Sequence, residues 1–155
     1  MRINGFRLTL LTIFIASLQL LVNSQTSLYL DGEGVILVLL LISGGYTLRT
    51  LILISFFADL IGHWYLGSHL FAILLLSLLT GSIISFFHVC SFLQKTFILM
   101  VFYAMFSAIM TTIDLCTHNV LTGGLNFAIE LVILCPVICM LFNITIIKHS
   151  ENILL

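Results

Sequence analysis

VILVLLLISGGYTLRTLILISFFADLI, running from Val35 to Ile61, has two readings, and the choice between them sets the number of helices in the chain. As one long helix it would carry Gly44-Gly45 in its interior, where glycine weakens helices and favours turns. It would also bury Arg49 at mid-depth in an apolar environment, at about 2.5 to 3.5 kcal/mol. Two short helices joined by a tight turn avoid both costs. The apolar environment itself follows from composition. Hydrophobic residues make up 61% of the 155 and charged residues 7%, against about a quarter charged in soluble domains. So few charges cannot clothe a water-facing surface, and the chain reads as a polytopic integral membrane protein.

Outward from that hairpin, further apolar runs are separated at residues 23–34, 62–68, 88–95 and 114–124. The predicted architecture is all-α, a single membrane domain over 1–155, with six transmembrane helices near residues 6–23, 33–45, 47–62, 66–88, 95–115 and 124–147. Helices are required because backbone in lipid must satisfy its own hydrogen bonds. The second and third are short for a hydrocarbon core of about 30 Å, which local thinning or burial among neighbours accommodates. The first span, with Arg2 and Arg7 ahead of it and Val22-Asn23-Ser24 behind, also has the shape of a signal peptide, and is taken as a retained helix.

The basic residues orient the bundle. With six spans, Arg2, Arg7, Arg49, Lys95 and Lys148 all fall on one side, an agreement expected by chance about one time in sixteen. Lys and Arg next to spans mark the cytoplasmic face, so both termini are predicted inside. The outer face receives Asp31, Glu33, Asp59, His63, His69, Asp114 and His118, with Glu130 a turn deeper. Among these, His63, Asp114, His118 and Glu130 are candidates for an outward polar depression holding a metal, a small ligand or a proton. Equally, they end helices at head-group level. Asp59 is expected to accept hydrogen bonds from the exposed N–H groups of the turn that follows it.

Catalytic signals are absent from the pattern. The serines have no evident base, and Gly44-Gly45 and Gly123-Gly124 lack a phosphate-loop context. No H-E-x-x-H spacing occurs. Cys90, Cys116, Cys135 and Cys139 follow no ligand spacing and read as small hydrophobes. A net charge of -1 offers no basic surface for nucleic acid. No enzyme activity, cofactor or metal is expected. Pro136 inside the sixth span predicts a kink, while Gln19, Asn126 and Asn143 are candidates for hydrogen bonds between helices. Ser77, Gly81 and Ser85 recur every four residues in the fourth span. That stripe is able to pack a partner's helix or one of the chain's own.

The segment from Ala58 to Leu70, ADLIGHWYLGSHL, resembles the signature of the bacterial rod-shape-determining MreD family. The match lies in Asp59 and Leu60 at a helix end, a turn containing Gly62, then Leu66-Gly67 and His69 opening a long helix. Gln19, Glu33 to Leu41, Asn126 and Pro136 extend it along the chain. The glycine sits at Gly62 where the family usually has it one place later, at the position of His63. What the resemblance implies is a non-enzymatic scaffold in the bacterial inner membrane that maintains cell shape within the peptidoglycan elongation machinery. Its partner would be an MreC-like single-span membrane protein, working with RodA, a class B penicillin-binding protein and MreB. The same family is similar in fold to the substrate-binding subunits of energy-coupling-factor transporters. That supplies the alternative, a small-ligand-binding transporter subunit with an outward-facing polar pocket.

Overall fold

In a computed structural model of the chain, Gly44 takes a left-handed conformation (φ 63°) and its N–H closes onto Leu41 O at 3.3 Å. That is the C-terminal stop glycine supplies at lowest steric cost. The structure describes residues 5–25, 30–44, 48–61, 65–81, 83–118 and 124–151. They form α1 (Gly5–Gln25), α2 (Gly32–Ser43), α3 (Leu48–Ile61), α4 (Ser68–Thr80), α5 (Ile83–Val89), α6 (Phe92–His118), α7 (Gly124–Ile129) and α8 (Cys135–Glu151). A π-helical turn, Glu130–Leu134, joins α7 to α8. The described residues are all-helical, apart from their connections.

The bundle is organised around α2. Its eight aliphatic residues from Val35 to Ile42 leave no polar face, and a helix apolar all round belongs in an interior. All twelve residues of α2 are buried. It packs against α1, α3, α4, α5, α6, α8 and the π turn. Around this pillar the other helices bury one stripe each. In α3 the stripe is Leu51, Ile54, Ser55, Ala58 and Asp59, while Ile52, Leu53, Phe56, Phe57 and Leu60 face outward. The outward faces of α1 and α4 are similarly apolar, with Ile13, Phe14, Leu18 and Leu21 on one and Phe71, Leu74, Leu78 and Leu79 on the other.

Three of the expected spans differ in shape. The stretch 66–88 is two helices rather than one, α4 and α5, with axes 79° apart. Thr80-Gly81-Ser82 is a run of weak helix formers, and the hydroxyls of Ser77 and Thr80 bond back to Leu74 O and Ser77 O, a habit that bends helices. The break puts α5 across the C-terminal end of α2, where a side chain on Gly44 would meet Ile84 Cγ2 at 2.6 Å. The fifth span runs past 95–115 at both ends. It opens at Phe92 on half of a capping box, with Gln94 Oε1 accepting from Ser91 N at 2.9 Å. In the sixth, the π turn ends immediately before Pro136, with Cys135 N–H reaching Glu130 O. The widened turn accommodates a residue that has no N–H of its own, where a plain proline kink was expected.

Among the described residues, one helix is by itself long and apolar enough to cross a membrane, over Phe92–Cys116, and the bent pair α4 and α5 makes a second when taken together. Gly32–Ser43, Thr12–Val22 and Phe127–Asn143 are shorter apolar helices.

Candidate functional site

At the end of α2 opposite Gly44, four of the chain's six acidic residues, Asp31, Glu33, Asp59 and Glu130, gather around His69. Each is brought there by a different local rule. Asp31 caps α2, its Oδ1 accepting from Gly34 N at 2.8 Å. This is the ordinary N-terminal use of aspartate. Gly34 permits it, because a Cβ there would collide with the Asp31 carboxylate and with Phe106. One residue earlier, Gly32 N donates to Gln19 Oε1 at 2.8 Å and ties α1 to the head of α2.

Asp59 does the corresponding work for α4. The N-cap position of α4 is Gly67, in a left-handed conformation (φ 96°) and without a side chain to offer. The first N–H groups of a helix need acceptors, and Asp59 supplies both of its oxygens from the last turn of α3. Oδ2 accepts from Gly67 N at 2.5 Å and Oδ1 from His69 N at 3.1 Å. Oδ1 also meets His69 Nδ1 at 2.7 Å. The other ring nitrogen, Nε2, lies 3.3 Å from Asp31 Oδ2. Both imidazole nitrogens therefore face carboxylates, and satisfying both requires a hydrogen on each. His69 is fully buried and its ring leans on Phe106 at 5.6 Å.

Glu130 closes the other side. From the first position of the π turn its Oε1 accepts from Asp31 N at 2.8 Å, and its Oε2 accepts from Tyr103 OH at 2.7 Å. π turns re-aim side chains in this way. Asp31, Glu130, Tyr103, Ser107 and Thr111 line a small cavity of about 50 Å³, with Phe106 and Met110 as its apolar wall. A separate groove of about 200 Å³ between α1 and α8 is apolar apart from Gln19, lined by Phe14, Leu18, Val22, Ile133 and Val137 among others.

The expected site residues are distributed differently from the outward depression drawn from the sequence. Asp59, Gly67 and His69 of the family-like segment meet directly. Gly62 and His63 lie outside the described residues. Glu130 joins the cluster, but with Asp31 and Tyr103 as its partners. Asp114 is buried on α6 and does not line the cavity. His118 ends α6, its side chain outside the described part. Ser77 and Ser85 fall on separate helices 79° apart, so with the exposed Gly81 at the break they make no continuous face. Cys135 and Cys139 are buried in the core as free thiols.

The residues that sequence reasoning passed over are Tyr103 and the long-range partnership of Asp31 with His69. Asp31-Gly32-Glu33-Gly34 ahead of an aliphatic run was a readable helix-start signal. Nothing in spacing alone joins residues 31, 69 and 103. Chemically, the cluster clamps the starts of α2 and α4 to α1, α3, α6 and the π turn. Among the described residues no group of three acidic, histidine or cysteine side chains is arranged to hold a metal ion. Compared with known proteins, the chain matches no family model, no curated protein and no solved structure.

Proposed function

We propose that the chain is a six-span scaffold of the bacterial inner membrane, of the MreD type, that holds an MreC-like single-span partner in the cell-wall elongation machinery. RodA, a class B penicillin-binding protein and MreB are its further associates in this reading. The observation that carries it is the α3–α4 turn. The Asp, Gly and His of the resembling segment are bonded to one another there, which gives that spacing a physical purpose and supports the reading.

The membrane part of the reading rests on the outward faces of α1, α3 and α4, where large aliphatic and aromatic side chains stand exposed in rows. Contiguous apolar surface on this scale is stable against lipid and not against water. The six spans are α1, α2, α3, α4 with α5, α6, and α7 through α8. At 1.5 Å per residue the twelve residues of α2 reach about 18 Å. That length is tolerable for a helix enclosed by others on every side. With both ends cytoplasmic, Arg49 and Lys95 lie on the inner face and the acid–histidine cluster toward the outer one.

The transporter alternative calls for a chamber. Small-molecule sites enclose roughly 300 to 1,000 Å³ with converging polar groups, whereas the polar cavity here is about 50 Å³ and the larger groove is nearly all apolar. A scaffold needs neither. Depleting the protein in a rod-shaped host separates the two. The scaffold reading expects cells to round up and widen, while cells that keep their shape but require an external vitamin would overturn it.

A further inference from the structure

The four carboxylates of the cluster are not equivalent. Asp59 receives three donors, from Gly67 N, His69 N and His69 Nδ1. Asp31 receives two, from Gly34 N and His69 Nε2. Glu130 also receives two, from Asp31 N and Tyr103 OH. Glu33 receives none: both of its oxygens are buried without a hydrogen-bond partner, on a residue 1% exposed. Its charged neighbours are Asp31 and His69, and the nearest donors, the Gln19 amide and its own backbone N–H, stand beside it without closing a hydrogen bond.

An ionised carboxylate taken out of water and given no donor is among the costliest groups a fold can hold. Asp31 beside it adds repulsion. A carboxylic acid in the same place carries no charge and needs only one acceptor. We propose that Glu33 is a proton-binding site, occupied in the folded protein, whose proton keeps the head of α2 seated in the cluster. The inference stands apart from the scaffold reading, since it concerns what the cluster binds rather than what the chain assembles with.

The groups that act on Glu33 are Asp31 beside it, His69 of α4 and the neutral Gln19 of α1. Asp59 of α3 is tied to it through His69, and Glu130 of the π turn and Tyr103 of α6 through Asp31, while Cys135 at the start of α8 lies beside Glu130. Asp31, 14% exposed and lining the small cavity, is the cluster's contact with solvent. When hydroxide removes the Glu33 proton as water, a buried carboxylate with no closed hydrogen bond is left next to Asp31. The N-terminus of α2 then loosens from α1, α3 and α4.

Infrared spectroscopy of the full chain in detergent, with glutamate labelled by carbon-13 at its side-chain carboxyl, reads this directly. At neutral pH the protein should show a labelled carboxylic-acid carbonyl band that shifts in heavy water. The band should vanish in Glu33→Gln and persist in Glu130→Gln. Its loss as the pH is raised should track a fall in Tm of roughly 5 °C or more in the wild type, absent in Glu33→Gln. No such band at neutral pH, or one lost in Glu130→Gln, overturns the proposal even if Glu33→Gln cannot be purified. Stabilisation of the wild type by sodium at fixed pH, missing in Glu33→Gln, would also overturn it, because the occupant would be a metal cation.

Discussion

Replacing Asp59 with leucine removes the acceptor for three donors in a residue that is 1% exposed. The Gly67 and His69 N–H groups are left unpaired at about 1 to 3 kcal/mol each. His69 loses one of its two carboxylate neighbours, and breaking one arm of a buried ion pair costs about 3 to 5 kcal/mol. These terms share the same atoms and do not add fully. A loss of about 5 kcal/mol is a conservative total, comparable with the whole stability of a typical domain. At roughly 2 to 4 °C per kcal/mol for a chain of this size, Tm should fall by about 10 to 20 °C. Asp59→Asn keeps one oxygen to cap α4 but gives up the charge opposite His69, so it should fall between leucine and wild type, at about 3 kcal/mol. Thermal unfolding in a mild detergent, followed by helical circular dichroism, measures all three. A leucine variant within about 2 °C of wild type would refute the clamp. An asparagine variant as damaged as the leucine one would refute the capping half and leave only the ion pair.

Gly34→Ala should cost about 1 to 3 kcal/mol in the same assay, since its Cβ meets Asp31 Cγ and Phe106 Cε1 at 2.8 Å; unchanged stability would mean the head of α2 is looser than described. Gly81→Leu should leave Tm unaltered, because no atom lies within 4 Å of a Cβ there. Its effect on co-purification of an MreC-like protein then tests whether the α4–α5 break touches the partner, and a fall in Tm would show that Gly81 packs internally. Reporter fusions after Leu48 and Gln94 should behave as cytoplasmic, and those near Thr26, Gly67 and Leu121 as external. Labelling from outside of a cysteine placed at Thr47 would contradict six spans.

Helix existence was legible because it depends on composition and on breaks that are local. Gly44 stops α2 for a reason visible in the pair Gly44-Gly45. Asp59 was readable as an acceptor for its following turn, because capping acts over a few residues. The break at Gly81 was not anticipated, since an apolar run of this length reads as one span and the bend depends on α5 seating Ile84 against Gly44. The cluster was misdrawn for a different reason. Its ends are set by which helices surround α2, and the partnerships of Asp31 with His69 and of Glu130 with Tyr103 bridge 38 and 27 residues. Residue spacing carries no record of such distances. Acids near helix ends were therefore assigned to an outer surface, when four of them, Glu33, Asp59, Asp114 and Glu130, are buried.

The scaffold claim is tested most directly by affinity purification of the tagged protein from membranes in mild detergent, followed by mass spectrometry. Co-purification of an MreC-like single-span protein with RodA or a class B penicillin-binding protein is the predicted result, and recovery of transporter ATPases in their place would contradict it.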